Sequence, residues 1–232
     1  MKVSCYADFI KALLEAGFSF SSGNPDGIFT IVPVSWSDHL ADSPLHWFSG
    51  DPENDPWEWR QRVLLERDDI AYGKFFIRKG SYITREWMPL FLSVRRGDSS
   101  LEEAYQEGTI SNLAKRIYEI IANEGALPVH ELKHIGSFSQ VKKTAFEGAL
   151  AELQTRLFIT ICGQKQKRSR SGEEYGWSSS VYCTTEQFWG DEIIQEGANL
   201  DSAEAEDTIY RQILRINPVA EVKQMQKFVL GR

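Results

Sequence analysis

Lys165-Gln166-Lys167-Arg168-Ser169-Arg170-Ser171-Gly172 places four cations within six residues, interleaved with small polar residues that leave the backbone free to follow a phosphate strand. Each cation that neutralises a phosphate adds about 0.9 to the salt dependence of binding. A second set lies upstream. Gln140, Lys142 and Lys143 present amide and ammonium groups where the apolar period predicts a helix to begin, and a helix N-terminus attracts anions. Glu147 and Glu152 follow on the same helix and repel phosphate unless they point away from it.

Trp57, Trp59, Arg60 and Tyr72 form a different group, able to line a pocket for an unstacked base or another flat ligand. Aromatics at helical spacing serve core packing equally well. His130-Glu131-Leu132-Lys133-His134 spells the two-histidine template of zinc hydrolases, on a short helix with no third ligand close behind. The expectation is no metal and no cofactor. Cys5, Cys162 and Cys183 are odd in number and lack CxxC spacing, which points to reduced thiols. No dinucleotide-binding, phosphate-loop or nucleophile-elbow glycine pattern occurs.

The elements that would carry the cations read as a winged helix-turn-helix. A helix runs from Ser111 to Gly125 on a stripe of Leu113, Ile117, Ile120 and Ile121. A short second helix follows Pro128, and a third starts at about Ser139 with Phe146, Leu150 and Leu153 inward. Strands over 157–162 and 175–183 enclose a basic wing at 163–174. Before this unit come a helix with Phe9, Ile10, Leu13 and Leu14, a strand at 27–34, and a proline-rich acidic loop at 42–56. A helix from Trp57, two strands within 70–83 and a helix with Pro89 in its first turn complete that part. The fold class is α+β: a winged helix-turn-helix C-terminal domain with an aromatic-rich α+β N-terminal domain. The polar stretch 97–108 sets the boundaries at 1–108, 109–190 and a helical extension over 191–232.

The chain has 232 residues, 42% hydrophobic and 12% aromatic, enough for folded structure throughout. Its net charge of −7 disfavours indiscriminate binding to polyanions. The charge is uneven, however: 128–180 holds eight Lys and Arg against five Glu, net +3, leaving −10 for the rest. No apolar run is long enough to span a bilayer, and Asp8, Lys11 and Glu15 interrupt the opening helix, so a cytoplasmic protein with no membrane partner is expected.

Asp55-Pro56-Trp57-Glu58-Trp59-Arg60, Ile70-Ala71-Tyr72-Gly73-Lys74-Phe75-Phe76, Phe146-Glu147-Gly148 and Glu174-Tyr175-Gly176-Trp177 resemble blocks of small bacterial AlkZ-related proteins, winged-helix relatives of DNA glycosylases. The resemblance covers roughly residues 47–190. It implies association with DNA, and the better-known members excise alkylated or crosslinked purines without a metal. Those enzymes hold the attacking water with two glutamines flanking an apolar residue. Gln154-Thr155-Arg156 and Gln164-Lys165-Gln166 depart from that pattern, and Gln224-Met225-Gln226 fits it only by spelling, in a C-terminal helix. No catalytic residue carries over. The resulting expectation is a DNA-associated protein that binds duplex DNA through its wing and third helix, in repair or regulation. The alternatives are a metal-independent glycosylase acting on alkylated purines and a winged helix that binds a protein partner.

Overall fold

The computed structural model describes residues 3–23, 44–169 and 171–231. The strand expected at 27–34 lies outside them. Helix α1 (Tyr6–Ala16) buries Phe9 and Leu13 and ends at Gly17, whose φ of 86° provides a left-handed cap. Strand β1 (Phe18–Phe20) follows directly. Helix α2 (Pro56–Glu66) is started by Asp55, whose carboxylate accepts from the Trp57 amide, with Pro56 in the first turn.

Strands β2 (Ile70–Phe76) and β3 (Lys79–Thr84) are the two strands expected within 70–83, and the structure pairs them antiparallel as a hairpin. Their turn places Ile77 at φ 48° and Arg78 at φ 57°. Such two-residue turns favour Asn-Gly, so a β-branched residue here stores about 1–3 kcal/mol of strain. Helix α3 (Met88–Arg95) has Pro89 in its first turn, as expected.

The polar stretch 97–108 contains a helix that the sequence reading missed, α4 (Leu101–Gln106), opened by a reciprocal cap between Ser100 and Glu103. Then come α5 (Asn112–Glu124), β4 (Leu127–Pro128), α6 (Val129–Ile135), α7 (Lys143–Thr155), β5 (Ile159–Arg168) and β6 (Glu174–Thr184). Two expectations need correcting. The third helix of this run starts at Lys143 rather than at Ser139, because buried Phe138 anchors a separate 3-10 turn, Phe138–Gln140. The hairpin is also longer, since backbone pairing continues through Lys165, Lys167 and Arg168 and puts them on a strand instead of a loop. Helices α8 (Thr185–Trp189), α9 (Glu192–Ala198), α10 (Ser202–Ile216) and α11 (Val222–Leu230) complete an α+β fold. No helix among the described residues is long and apolar enough to cross a membrane.

The six strands among the described residues form one antiparallel sheet in the order β1-β3-β2-β5-β6-β4, so the sheet runs across residue 108. The join between β2 and β5 is narrow, with Tyr72 opposite Ile161. Side chains reinforce it. Gln154, 1% exposed, accepts from the Lys74 amide at 2.9 Å, and the Thr160 hydroxyl donates to the Tyr72 carbonyl at 3.1 Å.

Arg95 ties in the C-terminal helix. Its guanidinium donates to the carbonyls of Phe75 (2.8 Å), Thr155 (3.0 Å), Phe228 (2.8 Å) and Val229 (2.6 Å). Three of these acceptors sit at the ends of α7 and α11, where unpaired carbonyls carry partial negative charge. Desolvation pushes the Arg95 pKa down to about 9, still above neutrality, so the group stays a cation held by carbonyl dipoles. Gly231 makes the approach possible, since a Cβ there would lie 2.5 Å from Thr155 Cγ2 and 3.1 Å from Arg95 Nη1.

The core falls into three clusters. One joins β1, β2 and α3 to α9, α10 and α11, with Phe76 stacked on Phe228 at 3.9 Å. The second lies under α4–α7, β5 and β6, and the third under α1 and α2. Replacing Arg95 by methionine strips four carbonyls of their donor and should cost about 3–5 kcal/mol. Urea unfolding of Arg95→Met at pH 7 is expected to show a lowered midpoint; an unchanged midpoint contradicts this role.

Candidate nucleic-acid interface

Helix α7 buries Phe146, Leu150 and Leu153, which turns Lys143, Thr144 and Glu147 outward. Lys142 occupies the cap position and makes no capping hydrogen bond to the first-turn amides through its side chain. Gln140 is exposed in the 3-10 turn rather than on the helix. Lys143 is exposed and lies 3.8 Å from Glu147.

The hairpin cations are less open than their sequence suggests. Lys165 Nζ lies 2.7 Å from Glu131 on α6, and Arg168 lies 3.2 Å from Glu174 on the opposing strand. Lys167 is half-buried, and Arg170 lies outside the described residues. Exposed pairs of this kind are worth about 0–1 kcal/mol, so a phosphate can displace the carboxylate. Beside them Tyr175 is 55% and Trp177 93% exposed, separated by Gly176 at φ 69°. His130 Nδ1 is 3.0 Å from the Ser179 hydroxyl on this hairpin, and His134 is exposed. Desolvation lowers the His130 pKa, Glu131 opposes the shift, and Lys167 and Lys165 add to it.

The aromatic group is organised by one buried carboxylate. Asp55, fully buried, accepts from the amides of Trp57 (2.9 Å), Phe48 (3.1 Å) and Gly50 (3.0 Å), which folds the preceding loop back on α2. Phe48 then meets Trp57 at 5.1 Å, and the Arg60 guanidinium lies 3.3 Å over the Trp57 ring. Trp47, Phe48, Trp57, Arg60 and Tyr72 line a cavity of about 330 Å³, in which Arg60 Nε is buried without a hydrogen-bond partner.

Trp59 does not join them. The helical period turns it to the other side of α2, where it is 1% exposed, stacks on Phe9 at 4.9 Å and donates to the Glu53 carbonyl. The placement of Trp59 among pocket residues is therefore corrected: it belongs to the core.

Arg60, Tyr72 and Gly80 also border a second cavity of about 290 Å³, which continues to Lys74, Lys133, Phe146 and Glu147. The two cavities make a trench from the aromatic pocket to the N-terminal half of α7. Arg60, Lys74 and Lys133 form no ion pair among the described residues. Phe48, Lys74 and Lys133 escaped the sequence reading, because their role depends on loops and strands that meet only in the fold. Gln224 and Gln226 lie on α11 around buried Met225, and neither lines this trench.

The family model described as AlkZ related matches residues 3–230. No curated protein matches the chain. Among solved structures, the DNA glycosylase AlkZ of Streptomyces sahachiroi is similar at 10% identity and a TM-score of 0.40, over 75% of this chain and 50% of that one. The chain thus spans about half the length of that structure.

The His130 environment gives a pH test. A depressed pKa means that the unfolded state binds more protons near the free-histidine value of about 6.5, so this contribution is intact above that value and is lost as pH falls through the folded pKa. NMR titration should place the His130 midpoint below that of free histidine and raise it in Lys167→Gln. A midpoint unmoved by that substitution would separate His130 from the hairpin cations.

Proposed function

The chain belongs to the AlkZ-related family, and on that premise we propose that it is a DNA-associated protein, acting in repair, whose segment 109–190 is a winged helix-turn-helix that grips duplex DNA. In this reading α5, α6 and α7 are the three helices, β4 is the short strand between the first two, and the β5–β6 hairpin is the wing. Support comes from the element order and from the antiparallel pairing of β4 with β6, which closes a three-stranded sheet against the helices.

The observation that carries the reading is the outer face of α7. Its first turn lacks a side-chain cap, Lys142 and Lys143 are exposed there, and the hairpin lies in the same unit. Amides, helix dipole and ammonium groups all favour a phosphate at this point. Lys165, Lys167 and Arg168 extend the contact along a strand. The acidic remainder of the chain disfavours indiscriminate contact with a polyanion elsewhere on its surface.

A second reading, metal-independent excision of an alkylated purine, is favoured by the trench. A strand lying on α7 is adjacent to Lys133 and Lys74, and from there the groove passes Arg60 and Tyr72 into the aromatic pocket. There an unstacked base would lie among Trp57, Phe48 and Tyr72.

Electrophoretic shifts of a short duplex should weaken steeply with salt. The Lys142→Gln/Lys143→Gln double variant should bind about tenfold more weakly, at a shallower slope. Equal affinity in wild type and variant, or no shift at low salt, overturns duplex binding through α7. Alkaline strand breaks in an alkylated duplex support the excision reading, and their absence removes it.

A further inference from the structure

At the other end of α7 from its exposed first turn lies a larger cavity, of about 580 Å³, bordered by the β2–β3 turn and the ends of α3, α7 and α11. Among the described residues its lining holds three guanidinium groups, Arg78, Arg95 and Arg156, and one carboxylate, Glu152. That carboxylate is committed elsewhere: its two oxygens accept from the amide and the hydroxyl of Ser111, both at 2.7 Å, at the start of α5. A chain of net charge −7 therefore gathers three arginines around one cleft.

Two further observations point the same way. The strained turn holds Arg78 at the lip of the cleft, in a backbone conformation that neither Ile77 nor Arg78 favours. Ile77 packs on the core beside it, which fixes the backbone of the turn from which the exposed Arg78 side chain projects. Among the described residues Arg95 is satisfied by neutral carbonyls, with no carboxylate paired to its charge. Removal of water already disfavours that charge, and an anion in the cleft would restore it.

We propose that this cleft binds a phosphoryl anion, with Arg78 and Arg156 contacting it and Arg95 supplying fixed positive charge from behind. Planar guanidinium groups converging from separate elements suit the oxygens of a phosphate, which they can engage in pairs. A doubly charged group needs at least two such partners, and the volume leaves room for the molecule that bears it. The source is either a free phosphorylated small molecule or the backbone of a nucleic acid, and the chemistry of capture is the same.

The test is calorimetric titration of the whole chain with pyrophosphate in chloride buffer at constant ionic strength. Saturable binding is expected, weakened about tenfold by Arg78→Gln and again by Arg156→Gln, with Lys11→Gln, exposed on α1, unchanged as the control. On wild-type protein, the Nε–H resonances of Arg78 and Arg156 should shift with pyrophosphate and not with chloride. A short duplex that displaces pyrophosphate identifies the source as backbone phosphate; a duplex that does not identifies a small molecule. No saturable binding, arginine resonances that stay in place, or equal affinity in the Arg78→Gln and Arg156→Gln variants overturns the proposal.

Discussion

The seam between β2 and α7 is the constraint on which the rest of this structure depends. Two strands that meet at one residue pair, Tyr72 opposite Ile161, make a weak join by backbone bonding alone. Gln154, Thr160 and Arg95 convert it into a rigid one by satisfying backbone groups of Tyr72, Lys74 and Phe75 that would otherwise be buried without partners. Gln154 also donates to the Leu150 carbonyl within its own helix, so its amide is held at both ends. Because Arg95 reaches α11 as well, one side chain closes the chain's late helices onto its early strands.

Both candidate ligand surfaces follow from that seam. The trench exists because β2 brings Tyr72 and Lys74 beside Lys133 and Phe146, residues far apart in the chain. The arginine cleft exists because the same strand carries the Ile77-Arg78 turn to the C-terminal end of α7. Helix α7 thus has an N-terminal end where lysines add to the positive end of its dipole, which leaves that charge unanswered, and a C-terminal end whose carbonyl is held by a guanidinium, as the dipole favours. With a net charge of −7, any anion site on this chain depends on local clusters of cations.

Much of the fold was legible locally. The stripes of α1, α5 and α7, the two strands β2 and β3 and Pro89 in the first turn of α3 are legible in period and punctuation, whereas the pairing of β2 with β3 emerges only in the fold. Helix α4 is spelled out by Ser100 and Glu103, but its polarity masks it in a stretch that reads as a linker, although Leu101 and Ala104 are buried. The length of the hairpin was hidden because its polar segment has weak strand preference, and ladder pairing with β6 overrides it. In α2, the spacing that buries Trp59 with Val63 was visible, but the pocket around Trp57 required Asp55 to fold a distant loop onto the helix. The Arg95 cage could not be read at all, since backbone carbonyls carry no residue signature.

Residue-resolved hydrogen exchange tests this account most directly, through the Lys74 amide that donates to Gln154 across the seam. If β2 and α7 form one cooperative body, that amide exchanges as slowly as the Leu150 amide inside α7, and both follow global unfolding. A Lys74 amide that exchanges orders of magnitude faster than Leu150, while the amides that pair β2 with β3 remain protected, would mean the seam opens by itself and the halves move independently.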